Sequence, residues 1–581
     1  MNYEDVLCTL YGRGFFQIIL TVCCGLTNFV LIFEFQSIIF LHLTPEFNCS
    51  STSLNEFSQV TWVTESEYLH FQNLHQPKDL DAVLSNKFHA NASAPDQCWA
   101  IARQRGDDGQ ELMRPFSCDQ WTFSNHPMSR TLVTDYNLIC DRRYLVTLLE
   151  TIVIMSLATA YSMAIFTDRL SRRKLLLFYA FWDCLTSVGI VLAPNLTVFF
   201  IIRALRSLSA SICYLPPCII AELVPTKKRG VFVNLFWIPF GLGYMLTAGI
   251  AYLTRDWFQF RLYGLLLLIV HLPLFFIVPE SPRWLAVHGR YDEFVKVLKQ
   301  IAAWNRVKVE EGFYEEAVVV TRQMDTQKAI QGSDNSNGNI LASSQSSMAN
   351  KPRSHDSVLD VARLPNMRRK CLILALAHSS ITLCYFGLSI NATFTNENVF
   401  LNVFFQGFTE IPSAVTAWVI SSHVGRRLSL IVLLLLTTLT VIATPVIKPI
   451  QPLASTVIAI AGRMAVTTAY CISDLYAAEM FPTTVRNMGI YIIMTAGAVV
   501  AALAPYLNRL ADTFYCLPAL LYGVACALGS VLVFFYLPET RKCPLAQTLD
   551  EAERLVCGHE EDWIEQMSKT TTEMNINSKQ I

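Results

Sequence analysis

Charged residues are scarce in this chain: Asp, Glu, Lys and Arg together make up 16% of its 581 positions, whereas 52% of the positions are hydrophobic. A soluble domain carries about 25% charged residues. The formal net charge of −1 leaves no surplus of Lys and Arg, which excludes a nucleic-acid partner. The composition therefore indicates a membrane protein.

The sequence also lacks the motifs of enzymes and ATP-driven pumps. It has no glycine-rich phosphate loop of the G-x-x-x-x-G-K-[ST] type, which argues against direct ATP-driven pumping. His89 and the cysteines near it lack the spacing of zinc ligands. We therefore expect no enzyme, no cofactor and no metal, and a transport function would have to draw on gradients of substrate or of coupled ions.

Long apolar runs are what the sequence has in abundance. A run of about 20 apolar residues crosses the hydrocarbon core as a helix, because only a helix satisfies its own backbone polar groups there. Twelve such runs predict an all-α membrane protein, with spans numbered 1 to 12 in chain order. They lie at 16–41, 144–165, 174–194, 197–220, 231–253, 262–279, 371–390, 399–420, 428–446, 453–475, 488–508 and 517–537. Run 1 is too long for a removable signal peptide and is interpreted as a retained span.

Basic residues predict the orientation of these spans. Short loops rich in Lys and Arg stay in the cytoplasm, and "DRLSRRK" (168–174), "TKKRG" (226–230), "MRRK" (367–370) and "GRR" (425–427) share one side if both termini are cytoplasmic. The polar loop 42–143 is then external. Its cysteines are Cys49, Cys98, Cys118 and Cys140, which predict two disulfides with three possible pairings. Glycosylation sequons that are external on this topology begin at Asn48, Asn91 and Asn391.

An internal repeat divides the chain into two halves. "AELVPTKKRG" at 221 returns as "AEMFPTTVRN" at 478, and "VPESPRW" at 278 returns as "LPETRKC" at 537. Similar offsets along the chain indicate two related six-span halves, with a substrate site between them near the midplane. The predicted domains are residues 1–280 (including the loop 42–143), a central cytoplasmic loop 281–369, the second half 370–540, and a tail 541–581.

Each copy of the repeat places a carboxylate at the cytoplasmic end of a span, next to arginine-bearing loops. Such charges can pair in one arrangement and part in another, as alternating access requires; the alternative is that they only anchor helix ends at the membrane surface. The predicted gating residues are Asp168, Arg169, Arg172, Glu222, Arg229, Arg426, Glu479 and Arg486.

These features together resemble the organic cation, organic anion and carnitine transporter family (solute carrier family 22) of the major facilitator superfamily. The resemblance rests on the twelve spans, the large loop after span 1, "DRLSRRK", "AELVPT", "PESPRWL" and "AEMFPTTVRN". It implies a major facilitator fold with a central cavity for small organic ions. Some family positions differ: Ala164 and Ser171 replace glycines, Ser207 stands where the span 4 motif usually ends in glycine, and Ser422 and His423 replace a common Asp-Arg pair. We expect helix packing at those points to be looser or differently built.

Ionisable groups inside spans are candidates for the substrate cavity, because burying them in the membrane costs free energy. Four acids, including Asp474, against Arg203, Arg206 and Arg463 predict a slightly acidic interior. Glu410 resembles the span 8 acid of cation-handling family members, and Tyr385 resembles a cavity aromatic. Ala498 stands where cation carriers tend to have Asp and anion or carnitine carriers Arg. The predicted cavity residues are Glu410, Tyr385, Phe386, Glu34, Asp183, Phe236, Trp237, Arg463 and Ala498.

The sequence thus predicts a multi-pass plasma-membrane carrier that moves small organic ions by alternating access, and cations or zwitterions are favoured as substrates. The expected partners are the substrate and the lipid bilayer. Two alternatives stay open. One is an organic anion carrier, and the other is a non-transporting surface receptor or binding protein on the same fold, which the altered motifs favour.

Overall fold

The computed structural model describes residues 3–50, 59–63, 98–105, 111–164, 171–206, 209, 215–310, 312–319, 361, 363–390, 398–482, 485–512, 514–541 and 553. Within them, ten helical segments are long and apolar enough to cross a membrane. They are Phe15–Leu41, Cys140–Ala164, Arg172–Val191, Leu235–Thr254, Trp257–Ile277, Pro365–Ile390, Arg426–Ile447, Pro452–Met480, Arg486–Asp512 and Leu517–Tyr536. These are spans 1 to 3, 5 to 7 and 9 to 12.

The two other predicted spans are also helical. Span 4 is described as two helices, Leu196–Leu205 and Leu215–Leu223, and span 8 is the single helix Val399–His423. Span 8 is more polar than its neighbours because it buries Asn402, Gln406 and Thr409. The predicted twelve-helix membrane fold is confirmed.

Spans 5 and 8, which belong to different halves of the repeat, approach closely at glycines. A Cβ on Gly241 would lie 3.0 Å from the carbonyl oxygen of Gly407, and a Cβ on Gly407 would lie 2.8 Å from that of Gly241. Neither position can hold a side chain unless the helices move apart. Small residues of this kind let transmembrane backbones pack closely, and here they bring the central polar residues of the two halves together.

The chain forms two compact units. The first comprises Met1–Ser37, Leu149–Tyr252 and Arg261–Ile581, and the second comprises Ile38–Leu148 with Leu253–Phe260. In the second unit, the strand Phe47–Cys49 pairs antiparallel with Trp121–Phe123. A separate three-stranded antiparallel sheet consists of Gln59–Val63, Trp99–Arg105 and Glu111–Ser117, in that order.

Disulfides link the predicted external cysteines of the second unit. Cys49 bonds to Cys118 and Cys98 bonds to Cys140, which confirms two disulfides and selects one of the three pairings. In the same unit, Arg130 Nε donates to Asp135 Oδ1 at 2.8 Å, and this hydrogen bond raises the pKa of Arg130. Asn48 is exposed on its strand, whereas Asn91 and Asn391 lie outside the described residues.

The central segment contains the helices Pro282–Val287 and Tyr291–Asn305. The second of these buries Phe294, Leu298, Ile301 and Ala302, whose spacing places them on one face of the helix. Its last residue, Asn305, accepts from Phe16 N at 2.8 Å and donates to Leu10 O at 2.8 Å, which fixes the start of span 1.

Candidate functional site

A buried ion pair lies at the centre of the second half. Arg463 Nη2 on span 10 is 3.0 Å from Glu410 Oε1 on span 8, and the Tyr385 hydroxyl on span 7 donates to the same oxygen at 2.9 Å. The Arg463 guanidinium also lies 3.9 Å from the centre of the Tyr385 ring, a distance that gives a cation–π attraction. Three residues that the sequence nominated for the cavity thus form one network.

Arg463 keeps further contacts that do not involve Glu410. Its Nη1 donates to the backbone carbonyl of Tyr385 at 2.8 Å and to Ser389 Oγ at 2.7 Å. These neutral acceptors fix the guanidinium in place. Glu410 is therefore held by two side chains that can exchange partners, whereas Arg463 is held by the backbone of span 7.

The network continues into the first half through Tyr244 of span 5. The Tyr244 hydroxyl lies 3.4 Å from that of Tyr385 and 3.4 Å from Arg463 Nη2. Phe386 packs on Phe35 of span 1 with ring centroids 5.3 Å apart. Residues from both halves thus meet at one polar centre, which is where a carrier built from two halves is expected to bind its substrate.

Other predicted cavity residues lie around this centre. Along span 5, edge-to-face contacts run from Phe236 to Trp237 at 5.2 Å, from Trp237 to Phe240 at 5.9 Å and from Phe240 to Tyr244 at 5.6 Å. Phe236 is fully buried, and so is Ala498 of span 11. Their part in substrate contact stays a prediction.

A second charged cluster fills the interior of the first half. Glu34 Oε2 on span 1 lies 3.3 Å from Arg203 and 3.4 Å from Arg206, both on span 4, and 2.5 Å from Arg261 on span 6. Asp183 Oδ1 on span 3 pairs with Arg206 at 2.8 Å. Three guanidiniums therefore face two carboxylates. The prediction of a slightly acidic interior missed Arg261, which is only 2% exposed, because the predicted span 6 began one residue after it.

At the ends of the spans, two matching ion pairs involve the predicted gating residues. Arg172 pairs with Glu222 in the first half, and Arg426 pairs with Glu479 at 2.7 Å in the second. Thr540 Oγ1 donates to the other oxygen of Glu479 at 2.6 Å. In each half the pair links the start of the third span to the end of the fourth, so the repeat is preserved in three dimensions.

Of the remaining predicted gating residues, the structure describes the side chain of Arg486 alone. Arg486 Nε donates to the carbonyl of Phe481 at 3.3 Å, which links the start of span 11 to the end of span 10. Asp168, Arg169 and the side chain of Arg229 lie outside the described residues, and their gating roles stay predictions.

Two carboxylates outside the predicted gating set support the same helix ends. Glu539 accepts from the backbone N–H groups of Arg426 at 2.9 Å and Arg427 at 3.1 Å, and Glu280 accepts from Arg173 N at 3.3 Å. Both lie in the repeated "PE" motif of the sequence, and this repeat was the signal from which their role could have been predicted. A carboxylate at a helix N-terminus satisfies orphan N–H groups and the helix dipole.

The Ser171 departure has a physical explanation. In the second half the equivalent residue is Gly425, with φ of +103°, where a Cβ would lie 2.7 Å from Glu539 Oε2. In the first half Ser171 has φ of −60° and its hydroxyl accepts from Lys174 N at 3.4 Å as an N-cap, and it also donates to Glu280. The motif is therefore built differently, as expected.

The fold matches solved major facilitator structures. Inward-open XylE, the xylose transporter of E. coli, superposes with a TM-score of 0.56 at 14% identity, covering 92% of this chain and 99% of that one. This likeness shows the fold. The profile of the sugar (and other) transporter family matches residues 122–553, so the chain belongs to that family and is a multi-pass membrane transporter of the major facilitator type.

Curated relatives of the chain include organic ion transporters of solute carrier family 22, which confirms the predicted resemblance. It is 27% identical to the beta-alanine transporter of Drosophila melanogaster, covering 95% of this chain and 89% of the relative. It is 25% identical to the organic cation/carnitine transporter 2 of Homo sapiens, covering 95% and 94%, and 26% identical to solute carrier family 22 member 3 of Mus musculus, covering 94% of each. These relatives are transporters rather than enzymes.

Proposed function

We propose that this protein is a plasma-membrane carrier of small organic cations or zwitterions and works by alternating access. The observation that carries the proposal is the buried Glu410–Arg463 pair, in contact with Tyr385 of its own half and Tyr244 of the other. Charges inside a membrane protein are costly and mark substrate pathways. Here they stand where the two halves meet.

Exchange of partners explains how such a pair can bind a substrate. An incoming ammonium group replaces Arg463 as the partner of Glu410, and Arg463 remains held by the Tyr385 carbonyl, Ser389 and the Tyr385 ring. A zwitterion satisfies both members of the pair, because its carboxylate pairs with the released guanidinium of Arg463. Both buried charges then stay neutralised, which avoids leaving one of them unpaired. The similarity to a beta-alanine transporter and a carnitine transporter agrees with this chemistry.

The paired gates support alternating access. Arg172–Glu222 and Arg426–Glu479 join neighbouring spans at the same end of each half. Half-buried ion pairs of this kind can form in one state and break in the other, so that a modest change in free energy switches the carrier. On the positive-inside rule this end faces the cytoplasm, as do both termini.

A second candidate, an organic anion carrier, is favoured by the first-half cluster, where Arg203, Arg206 and Arg261 face two carboxylates. The surplus guanidinium charge would attract a carboxylate substrate. The receptor alternative is disfavoured by the intact gate pairs, since a receptor that does not cycle has no need of them.

Uptake in cells expressing the full chain tests the proposal. The probes are labelled tetraethylammonium as a cation, beta-alanine and carnitine as zwitterions, and benzoate as an anion, with surface abundance measured in parallel. Saturable uptake of the cation or a zwitterion supports the proposal, and uptake of benzoate alone transfers support to the anion carrier. Absence of all uptake at normal surface abundance favours the receptor.

A further inference from the structure

A histidine and an aspartate that the proposed substrate site does not use form a pair between spans 7 and 10, in which the histidine is buried and the aspartate side chain is 32% exposed. His378 Nδ1 lies 3.9 Å from Asp474 Oδ1 and 3.1 Å from Ser473 Oγ. His378 is 1% exposed, and its Nε2 has no hydrogen-bond partner among the described residues. Asp474 has no other cationic group within ion-pair distance in the described part of the chain.

The first half contains a similar pair that serves as an internal comparison. His271 Nε2 also lies 3.9 Å from a carboxylate, that of Asp183. Asp183, however, already pairs with Arg206 at 2.8 Å, so its charge is neutralised whether or not His271 carries a proton. Among the described residues, the charge of Asp474 is neutralised only when the His378–Asp474 pair binds a proton.

Groups around His378 offer no other compensation. Span 10 presents Tyr470, whose ring centroid is 5.1 Å from that of His378, as well as Ser473 and Asp474. Span 11 presents Gly497, where a Cβ would lie 2.7 Å from the imidazole ring. Span 12 presents Gly529, which faces Ser380 on the adjoining turn of span 7. The titratable groups in contact with His378 are therefore Asp474 and Tyr470, and Cys471 and Tyr161 lie next to these two groups.

We infer that His378 and Asp474 form a proton-binding site that couples transport to the proton gradient, an inference that rests on the proposed carrier function. Nδ1 faces Ser473 and Asp474, and the incoming proton converts the neutral imidazole into an imidazolium. The pair then consists of an imidazolium beside a carboxylate and has no net charge. Without that proton an ionised carboxylate remains uncompensated inside a span, which is costly.

Its position links this site to the movement of the halves. Tyr470 packs on His378, and its hydroxyl lies 3.4 Å from the hydroxyl of Tyr161 on span 2. A second contact between the halves joins the same ends of their spans, where Cys218 Sγ of span 4 lies 3.8 Å from the Tyr491 hydroxyl of span 11. Separation of the halves there widens the access of water to Asp474, whose side chain is already 32% exposed. The added water stabilises the ionised carboxylate and releases the proton. Acid therefore favours the state in which this contact is closed. With this end in the cytoplasm, that state faces outward, and substrate and proton enter together.

Proteoliposomes containing the purified full chain test the inference. Uptake of the probe that the panel identifies is measured from about pH 7.5 to about pH 6.0 outside, with the interior at neutral pH and the membrane potential set to zero. One coupled proton gives a rise of up to about tenfold per pH unit, with acidification of the interior reported by a trapped pH dye. His378→Gln and Asp474→Asn are expected to flatten the profile and abolish the acidification, whereas His271→Gln, the matched control, keeps both.

A wild-type profile that is flat, or one that His378→Gln leaves unchanged, overturns the inference and leaves the carrier function standing. If the wild type transports no probe at any pH, the carrier function fails, and proton binding is then decided on the purified protein by thermal unfolding. A stabilisation of the wild type on lowering the pH from about 8 to about 6 that is lost in His378→Gln and kept in His271→Gln supports the site. An identical pH dependence in all three proteins overturns it.

Discussion

Replacing Glu410 by Gln removes one charge from the central network and changes little else. The amide keeps the shape of the side chain. Its oxygen can still accept from the Tyr385 hydroxyl and from Arg463 Nη2, which lie 2.9 Å and 3.0 Å from the Glu410 carboxylate in the wild type. A hydrogen bond to a charged group contributes about 1.5–3 kcal/mol. Loss of that contribution to the binding of a substrate ammonium corresponds to a rise in KM of about 10- to 150-fold for cations and zwitterions.

The effect on folding is expected to be smaller than for a typical broken buried pair, which costs about 3–5 kcal/mol. Arg463 retains the Tyr385 carbonyl, Ser389 Oγ and the Tyr385 ring after the change. Surface abundance of Glu410→Gln should therefore stay near the wild-type level. The assay is initial-rate uptake over a range of concentrations, normalised to that abundance.

A matched variant, Arg463→Gln, separates cations from zwitterions. It leaves Glu410 free for an ammonium but removes the group that pairs with a carboxylate. Zwitterion uptake should fall in both variants, and cation uptake should fall only in Glu410→Gln. Unchanged uptake in Glu410→Gln, or an equal loss for every substrate class including anions, would refute the assignment of Glu410 to the substrate site.

Three further predictions concern other parts of the molecule. Glu479→Gln weakens the pair with Arg426 and should lower the maximal rate several-fold for every substrate alike, measured as KM and maximal rate; a loss confined to one substrate would contradict a gating role. Asn305→Ala removes three hydrogen bonds at the start of span 1 and should lower the free energy of unfolding by about 2–4 kcal/mol, seen as a lower unfolding temperature in detergent, and an unchanged temperature would refute it. Cys98→Ser opens one disulfide, costs about 2–5 kcal/mol and should reduce surface abundance; it should also leave Cys140 reactive to a thiol-specific maleimide applied to the surface of intact cells, and failure to label would contradict the external placement.

The sequence was sufficient for the helical architecture. Hydropathy is a property of each segment by itself, so apolar runs predicted the spans without knowledge of their neighbours. The repeat predicted that Glu222 and Glu479 stand beside arginine-bearing loops in both halves, and the structure pairs them with Arg172 and Arg426. The parity of the external cysteines likewise predicted two disulfides.

Relations between distant segments needed the tertiary structure. Distances between segments that are far apart in the sequence decide which cysteines pair. They also decide that Arg261 pairs with Glu34 and that Tyr244 contacts Arg463. The same holds for charge: His271 and His378 look alike in the sequence, and only the presence of Arg206 beside Asp183 distinguishes their surroundings. Apolar periodicity determines which segments enter the membrane, whereas the pairing of buried charges is decided by packing, because an ion pair depends on a few ångströms between side chains.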